Sequence, residues 1–121
     1  MNISVLAVDD SRTMRDMITL ALTSEGFDVS LAEDGQHGLE VLDDIDPDVI
    51  ITDINMPRLD GFGFIDALRE RDDTKTIPIL VLTTESSADL KTRAREAGAT
   101  GWIVKPFAQD KLVRALRMVA G

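Results

Sequence analysis

The chain has no cysteine among its 121 residues. Disulfides, thiolate metal centres and cysteine nucleophiles are therefore excluded, and the fold has to rest on its core. A cytoplasmic location fits that composition. Long apolar runs are also missing, since none approaches the ~20 residues of a membrane span, and no basic-then-apolar leader precedes Ile3. The expectation is a soluble, unexported protein with no membrane partner. Positive charge is scarce as well: 13 Lys and Arg stand against 22 Asp and Glu, for a formal charge of −9. That balance argues against nucleic-acid binding, which depends on basic side chains neutralising phosphates. Histidine occurs once, as His37 in a polar stretch, and is expected to be simply exposed.

What is present fits one domain. At this length roughly two-thirds of the unfolded surface can be buried on folding, and the hydrophobic fraction of 44% is ordinary for a globular chain. The most informative stretch is residues 49–57, where the β-branched run Val49-Ile50-Ile51-Thr52 empties into Asp53. A buried parallel strand reads as such a run, and open α/β sheets bind ligands just beyond the carboxyl ends of their strands.

The same grammar repeats along the chain. Residues 3–8 form an apolar strand that ends in Asp9-Asp10, after which Asp10 or Ser11 can cap a helix carrying Met14, Met17, Ile18 and Ala21, with Gly26 as its stop. Residues 27–32 alternate as a strand partly facing water. Asp34 can cap a second helix with Leu39, Val41 and Leu42, although Gly35 and Gly38 weaken its first turn by up to ~1 kcal/mol each. After Asp53 comes a loop, then a third helix with Phe62, Ile65 and Leu68. Residues 77–82 make a fourth strand ending in Thr83-Thr84, with Pro78 tolerated near its start. Ser86 or Ser87 can cap a fourth helix closed by Gly98, residues 102–104 form a fifth strand that delivers Lys105, and Leu112, Val113, Leu116 and Val119 mark a terminal helix.

Five strands alternating with helices imply a doubly wound parallel sheet. Right-handed crossovers put successive strand ends on one side, so Asp9, Asp10, Asp53, Thr83 and Lys105 are expected to converge. Carboxylates crowded in this way repel, by about 4 kcal/mol for a pair ~4 Å apart at an effective dielectric near 20. Lys105 offsets part of that and a hard divalent cation offsets more; Mg²⁺ suits carboxylates, waters and phosphate oxygens. A carboxylate beside such an ion can act as a nucleophile and form an acyl phosphate. Taken singly, Asp9 and Asp10 are as readily helix caps, Asp53 a turn residue, Thr83 a strand end and Lys105 a solvated charge. It is their joint placement that points to phosphoryl chemistry.

The ordered set Val8-Asp9-Asp10-Ser11, Asp53 with Asn55-Met56-Pro57, Asp60-Gly61, Leu82-Thr83 and Ile103-Val104-Lys105-Pro106-Phe107 resembles the receiver domain of bacterial two-component response regulators, most closely the CheY-like chemotaxis branch. The resemblance spans essentially the whole chain. It implies a flavodoxin-like (βα)5 fold with strand order 2-1-3-4-5 and a single receiver domain over residues 1–121 with no output domain. By position it makes Asp53 the phosphoacceptor, served by a phosphohistidine on a sensor kinase or by acetyl phosphate. Asp10, Asp53 and the Asn55 carbonyl would ligate Mg²⁺ directly, with Asp9 acting through water. Thr83 and Lys105 would bind the phosphoryl oxygens, the domain catalysing its own phosphorylation and dephosphorylation, and the Lys105-Pro106 bond would be cis. Thr83 and the aromatic residue Trp102 would form the switch, and Asn55 and Glu85 would tune phosphate lifetime to seconds.

Three positions depart from the family pattern: Trp102 replaces the more usual Tyr or Phe, Thr84 a smaller residue, and Ala108 a capping Ser, Thr or Asp. Charge is uneven too. Residues 1–87 hold 6 Lys and Arg against 19 Asp and Glu, and residues 88–121 hold 7 against 3. Lys91, Arg93, Arg95, Lys111, Arg114 and Arg117 would place positive charge on the face formed by the fourth helix, fifth strand and fifth helix. The expected partner there is an acidic segment such as one from the flagellar motor switch, bound by a monomer; a phosphate sink or phosphorelay intermediate is the alternative within the family. An aspartate-nucleophile phosphatase of the haloacid dehalogenase type is the rival enzyme reading, weakened because its general acid would fall at Asn55.

Overall fold

A computed structural model describes residues 2–120 of the chain. The elements run β1 (Ser4–Val8), α1 (Arg12–Thr23), β2 (Asp28–Ala32), α2 (Gly35–Val41), β3 (Val49–Thr52), α3 (Gly61–Glu70), β4 (Ile79–Thr83), α4 (Ala88–Ala97), β5 (Gly101–Val104) and α5 (Gln109–Ala120). All neighbouring strands pair in parallel, in the order β2-β1-β3-β4-β5. This is the flavodoxin-like sheet that the resemblance implies.

The strand composition explains the layers. β3 and β4 are buried along their whole length, because helices cover both faces and no position can be left polar for water. Alternate residues feed two cores. Leu6, Val8, Ile50 and Val81 face Phe64 and Leu68 of α3, while Val5, Ala7, Ile51 and Leu82 face Ile18 and Leu22 of α1 and Leu112 and Leu116 of α5. β2 and β5 are the edges and are partly exposed, as the alternation of residues 27–32 anticipates.

Most helix ends follow local chemistry. Ser11, not Asp10, caps α1 by accepting from Met14 N at 3.2 Å, and Ser87, not Ser86, caps α4. Asp34 caps α2 by accepting from His37 N at 2.8 Å. Gly98 closes α4 in a left-handed conformation at φ 118°. Among the described residues no side chain caps α5, where the Ala108 carbonyl takes the first helical bond from Leu112 N.

Several expectations change. β4 begins at Ile79 and includes Thr83, since Pro78 has no N–H to pair and contributes only its carbonyl, which accepts from Ile50 N at 3.0 Å. Gly38 is less a weakness of α2 than a condition of its packing, because a Cβ there would lie 3.0 Å from the Phe64 ring. His37 is half-buried, and its Nδ1 accepts from Glu33 N at 3.0 Å.

Candidate functional site

The ladder itself delivers the polar residues. One step past each strand end, a backbone amide still pairs with the neighbouring strand: Asp9 N donates to Ala32 O at 3.1 Å, Asp53 N to Val8 O at 3.0 Å, and Lys105 N to Thr83 O at 2.7 Å. Asp9, Asp53 and Lys105 are therefore held by sheet geometry rather than by loop geometry. Their side chains meet. Lys105 Nζ donates to Asp9 Oδ2 at 2.7 Å and to Asp53 Oδ2 at 2.8 Å, closing a sequence separation of 96 residues in the first case.

The remaining carboxylate oxygens are also engaged. Asp9 Oδ1 accepts from Ser11 N at 2.9 Å, and Asp53 Oδ1 accepts from Ile54 N at 2.7 Å. Asp10 lies at the exposed rim, and Asp9, Asp10 and Asp53 each offer an oxygen within 4.8 Å of the others. Burial raises the Asp9 carboxyl above its usual range, outweighing the hydrogen bonds from Lys105 and Ser11 that pull it down. Burial also acts to lower the Lys105 ammonium, but its bonds to Asp53 and Asp9 carry it above the ordinary lysine value, so it stays charged.

This charge balance tests the fit of a cation. Three carboxylates face one ammonium, and the most buried carboxylate remains hard to ionise despite its lysine. An excess of two negative charges in an all-oxygen cluster suits a divalent ion such as Mg²⁺. The residues placed to hold it are Asp9, Asp10 and Asp53.

Thr83, fully buried as the last residue of β4, accepts from Glu85 N at 3.4 Å through Oγ1. Glu85 and Asn55 are joined, Asn55 Nδ2 donating to Glu85 Oε1 at 3.1 Å. Trp102 is half-buried, and its Nε1 donates to the Glu85 carbonyl at 3.0 Å. Thr84 is exposed. The Lys105–Pro106 peptide is cis.

Three supporting residues were not anticipated from sequence. Arg15 Nη1 donates to the Asp9 carbonyl at 2.7 Å, bracing the acidic turn from α1. Arg58, with φ 65°, grips buried Asp34 through Nε at 2.9 Å and Nη2 at 3.2 Å, tying the loop after Asp53 to the start of α2. Gly61 lets that loop pass close beneath α3, for a Cβ there would meet the Asp53 carbonyl at 2.2 Å and Ile54 Cα at 2.7 Å. Only Gly61 carried a signal, in the Asp60-Gly61 pair; the two arginines had none.

On α4 and α5 Lys91 is half-buried, whereas Arg95, Lys111 and Arg114 are exposed. Arg93 and Arg117 are partly occupied, the first stacking 3.9 Å over the Phe62 ring and the second 5.6 Å over Phe27. Among the described residues no helix is long and apolar enough to cross a membrane.

Comparison with known proteins agrees with this geometry. The family profile of the response regulator receiver domain matches residues 5–117. The chain is 37% identical to the probable chemotaxis protein CheY of Rhizobium etli over 120 residues, covering 98% of this chain and 93% of that protein. It is 38% identical to the response regulator MprA of Mycobacterium ulcerans over 117 residues, covering 97% of this chain but spanning only 50% of MprA. Among solved structures, chemotaxis protein CheY4 of Vibrio cholerae superposes with a TM-score of 0.94 at 43% identity, covering 98% of this chain and 99% of that one. The receiver domain of the sensor histidine kinase PA1611 of Pseudomonas aeruginosa, solved with a magnesium ion coordinated in its active-site cleft, superposes at 0.91 with 26% identity, covering 100% of this chain and 99% of that one. The family match, the parallel sheet and the acidic cluster at its carboxyl edge converge, and the chain belongs to the response regulator receiver domains, which accept a phosphoryl group on an aspartate.

Proposed function

We propose that Asp53 is the phosphoacceptor of a chemotaxis-type signalling switch that works in the cytoplasm. The observation that carries this reading is the Asp53 carboxylate, nearly buried at 8% exposure yet within 2.8 Å of Lys105 Nζ and inside a three-carboxylate cluster. A carboxylate oxygen of Asp53 attacks the phosphorus of a kinase phosphohistidine or of acetyl phosphate. The bond to the leaving nitrogen or oxygen breaks, and its electron pair leaves with that atom. Lys105 holds one phosphoryl oxygen and Thr83 donates to another, so charge that builds up in the transition state meets donors already in place. Asp9, Asp10, Asp53 and the Asn55 carbonyl would hold Mg²⁺, which when bound would supply positive charge to the phosphoryl group. Hydrolysis of the acyl phosphate by water resets the switch within seconds, at a rate tuned by Asn55 and Glu85.

Output in this reading is binding by the receiver itself, with Thr83 and Trp102 relaying the state of Asp53 to the face formed by α4, β5 and α5. The basic residues of that face favour an acidic target segment, such as one of the flagellar motor switch. The test of the phosphoacceptor is Asp53→Asn, which should abolish Mg²⁺-dependent labelling by radiolabelled acetyl phosphate; full labelling of that variant refutes the assignment. For the target, binding of beryllofluoride-treated protein should weaken as salt rises, and equal binding in low and high salt removes charge as the attraction.

A further inference from the structure

The loop after β3 reverses at a strained point. Leu59 N donates to Pro57 O at 2.7 Å, and Arg58 between them has φ 65°. This is a γ-turn of the positive-φ kind, which is rare and strained for a residue with a side chain. Such a conformation persists only where its surroundings enforce it. Pro57, Arg58 and Asp60 are exposed, and of the turn only Leu59 reaches the core. Polar links to α2 supply the remaining hold. Arg58 grips Asp34 through Nε at 2.9 Å and Nη2 at 3.2 Å, and Gly35 N donates to Leu59 O at 3.1 Å.

The anchor of that latch is firm. Asp34 is 4% exposed, and its Oδ1 also accepts from His37 N as the cap of α2. Gly35 admits the loop at close range, since a Cβ there would lie 2.6 Å from the Leu59 carbonyl oxygen. At its base the same loop is joined to the phosphoacceptor. Gly61 N donates to Ile54 O at 2.8 Å, and Ile54 N donates to Asp53 Oδ1 at 2.7 Å. The amide that aims the Asp53 carboxylate therefore belongs to the first residue of a loop whose tip is set from α2. Arg58 itself forms its ion pair with Asp34, outside the cluster of Asp9, Asp10 and Asp53.

On the reading of Asp53 as a phosphoacceptor beside a divalent ion, we propose that Arg58 is a positioning residue for Mg²⁺: its latch to Asp34 holds the γ-turn and, through Ile54, sets the Asp53 carboxylate in the orientation that binds the ion. Arg58 acts only through the loop. The sign of its effect separates this role from a direct one. Two cations repel, so an arginine acting by its charge alone would oppose Mg²⁺, and its removal would tighten binding. Removal of a positioning arginine weakens binding instead.

The experiment titrates Mg²⁺ alone into wild type, Arg58→Gly, Arg58→Ala, Asp34→Asn and the double variant of Arg58→Gly with Asp34→Asn, by calorimetry, and measures urea unfolding of each in chelator. Both Arg58 variants are expected to raise the Mg²⁺ Kd about tenfold, the lower end of the loss when a residue supporting metal ligands is removed. Arg58→Gly should nevertheless be more stable than Arg58→Ala, because glycine takes φ 65° freely. Affinity thus should not follow stability, whereas a general loosening of the fold makes the two fall together. Asp34→Asn keeps an oxygen to cap α2 and should weaken Mg²⁺ to the same extent, and the double variant should bind no more weakly than the weaker single, because both changes open one latch. Wild-type or tighter binding by Arg58→Gly overturns the proposal, as does affinity that recovers with stability from Ala to Gly, or effects that multiply. If Arg58→Ala fails to fold, Arg58→Gly still decides by the sign of its effect. Wild type that binds no Mg²⁺ overturns the metal-site reading and the latch with it, whereas wild type that binds Mg²⁺ alongside unaltered variants overturns the latch alone.

Discussion

Replacing Lys105 by Met should cost this protein several kcal/mol in the absence of divalent ions, and the loss can be worked from the site. Lys105 Nζ bridges Asp9 and Asp53 with side-chain exposures of only 8% for the lysine and 2% and 11% for the acids. Without it, two carboxylates whose oxygens lie within 4.8 Å face each other at about 3.5 kcal/mol for an effective dielectric near 20. Removing one partner of a buried pair costs ~3–5 kcal/mol in general, which brackets the same figure. The assay is urea unfolding in chelator at neutral pH, with an expected loss of about 3 kcal/mol. Saturating Mg²⁺ should then stabilise the variant at least as much as wild type, and an ion at a hundred times its Kd contributes ~2.7 kcal/mol. Acid should narrow the deficit. The Asp9 carboxyl is raised above 3.8 by burial, so its penalty is complete above the folded value and is relieved as pH falls through that value toward 3.8. A variant as stable as wild type in chelator, or one whose deficit grows in acid, refutes the reasoning.

Three further outcomes follow from the same geometry. Gly61→Ala should destabilise the fold by at least ~2 kcal/mol in urea, because its Cβ meets backbone atoms of Asp53 and Ile54 that cannot move aside, and labelling should fall with it. Arg58→Ala should lower the melting temperature at neutral pH. The hydrogen-bonded Arg58 guanidinium holds the Asp34 carboxyl below its usual 3.8, so this stabilisation is whole above 3.8 and is lost as pH falls through the lower folded value; the gap to wild type should close there, and a gap that persists refutes the assignment. Ser11→Ala removes the α1 cap and should cost ~1 kcal/mol in urea. Labelling should survive it, since the Ser11 backbone N–H still donates to Asp9.

Much of the site was legible because parallel strands advertise themselves. Residues 49–51 and 79–82 are apolar throughout, as strands covered on both faces require, and the polar residues that end each run mark the sheet edge. Asp53 and Thr83 could be picked out on that ground alone, and Asp9 and Lys105 by the same rule at two other strands. Where the reading went astray, a local rule met a tertiary neighbour. Gly38 looked like a weak point of α2 until Phe64 arrived beside it, and His37 looked free until Glu33 N turned to its ring. Nothing near Arg58 in the chain signals either its left-handed backbone or its grip on Asp34.

What the amino-acid sequence determined by itself, then, is the layered fold and the set of residues carried to one edge, because periodicity and strand polarity are properties of short segments. Only the tertiary structure decided which of those residues touch. The Lys105 ammonium chooses Asp9 and Asp53 across strands, and Trp102 finds the Glu85 carbonyl over the top of β4. Those contacts depend on strand register, burial and side-chain reach acting together, and no local pattern encodes the product of the three.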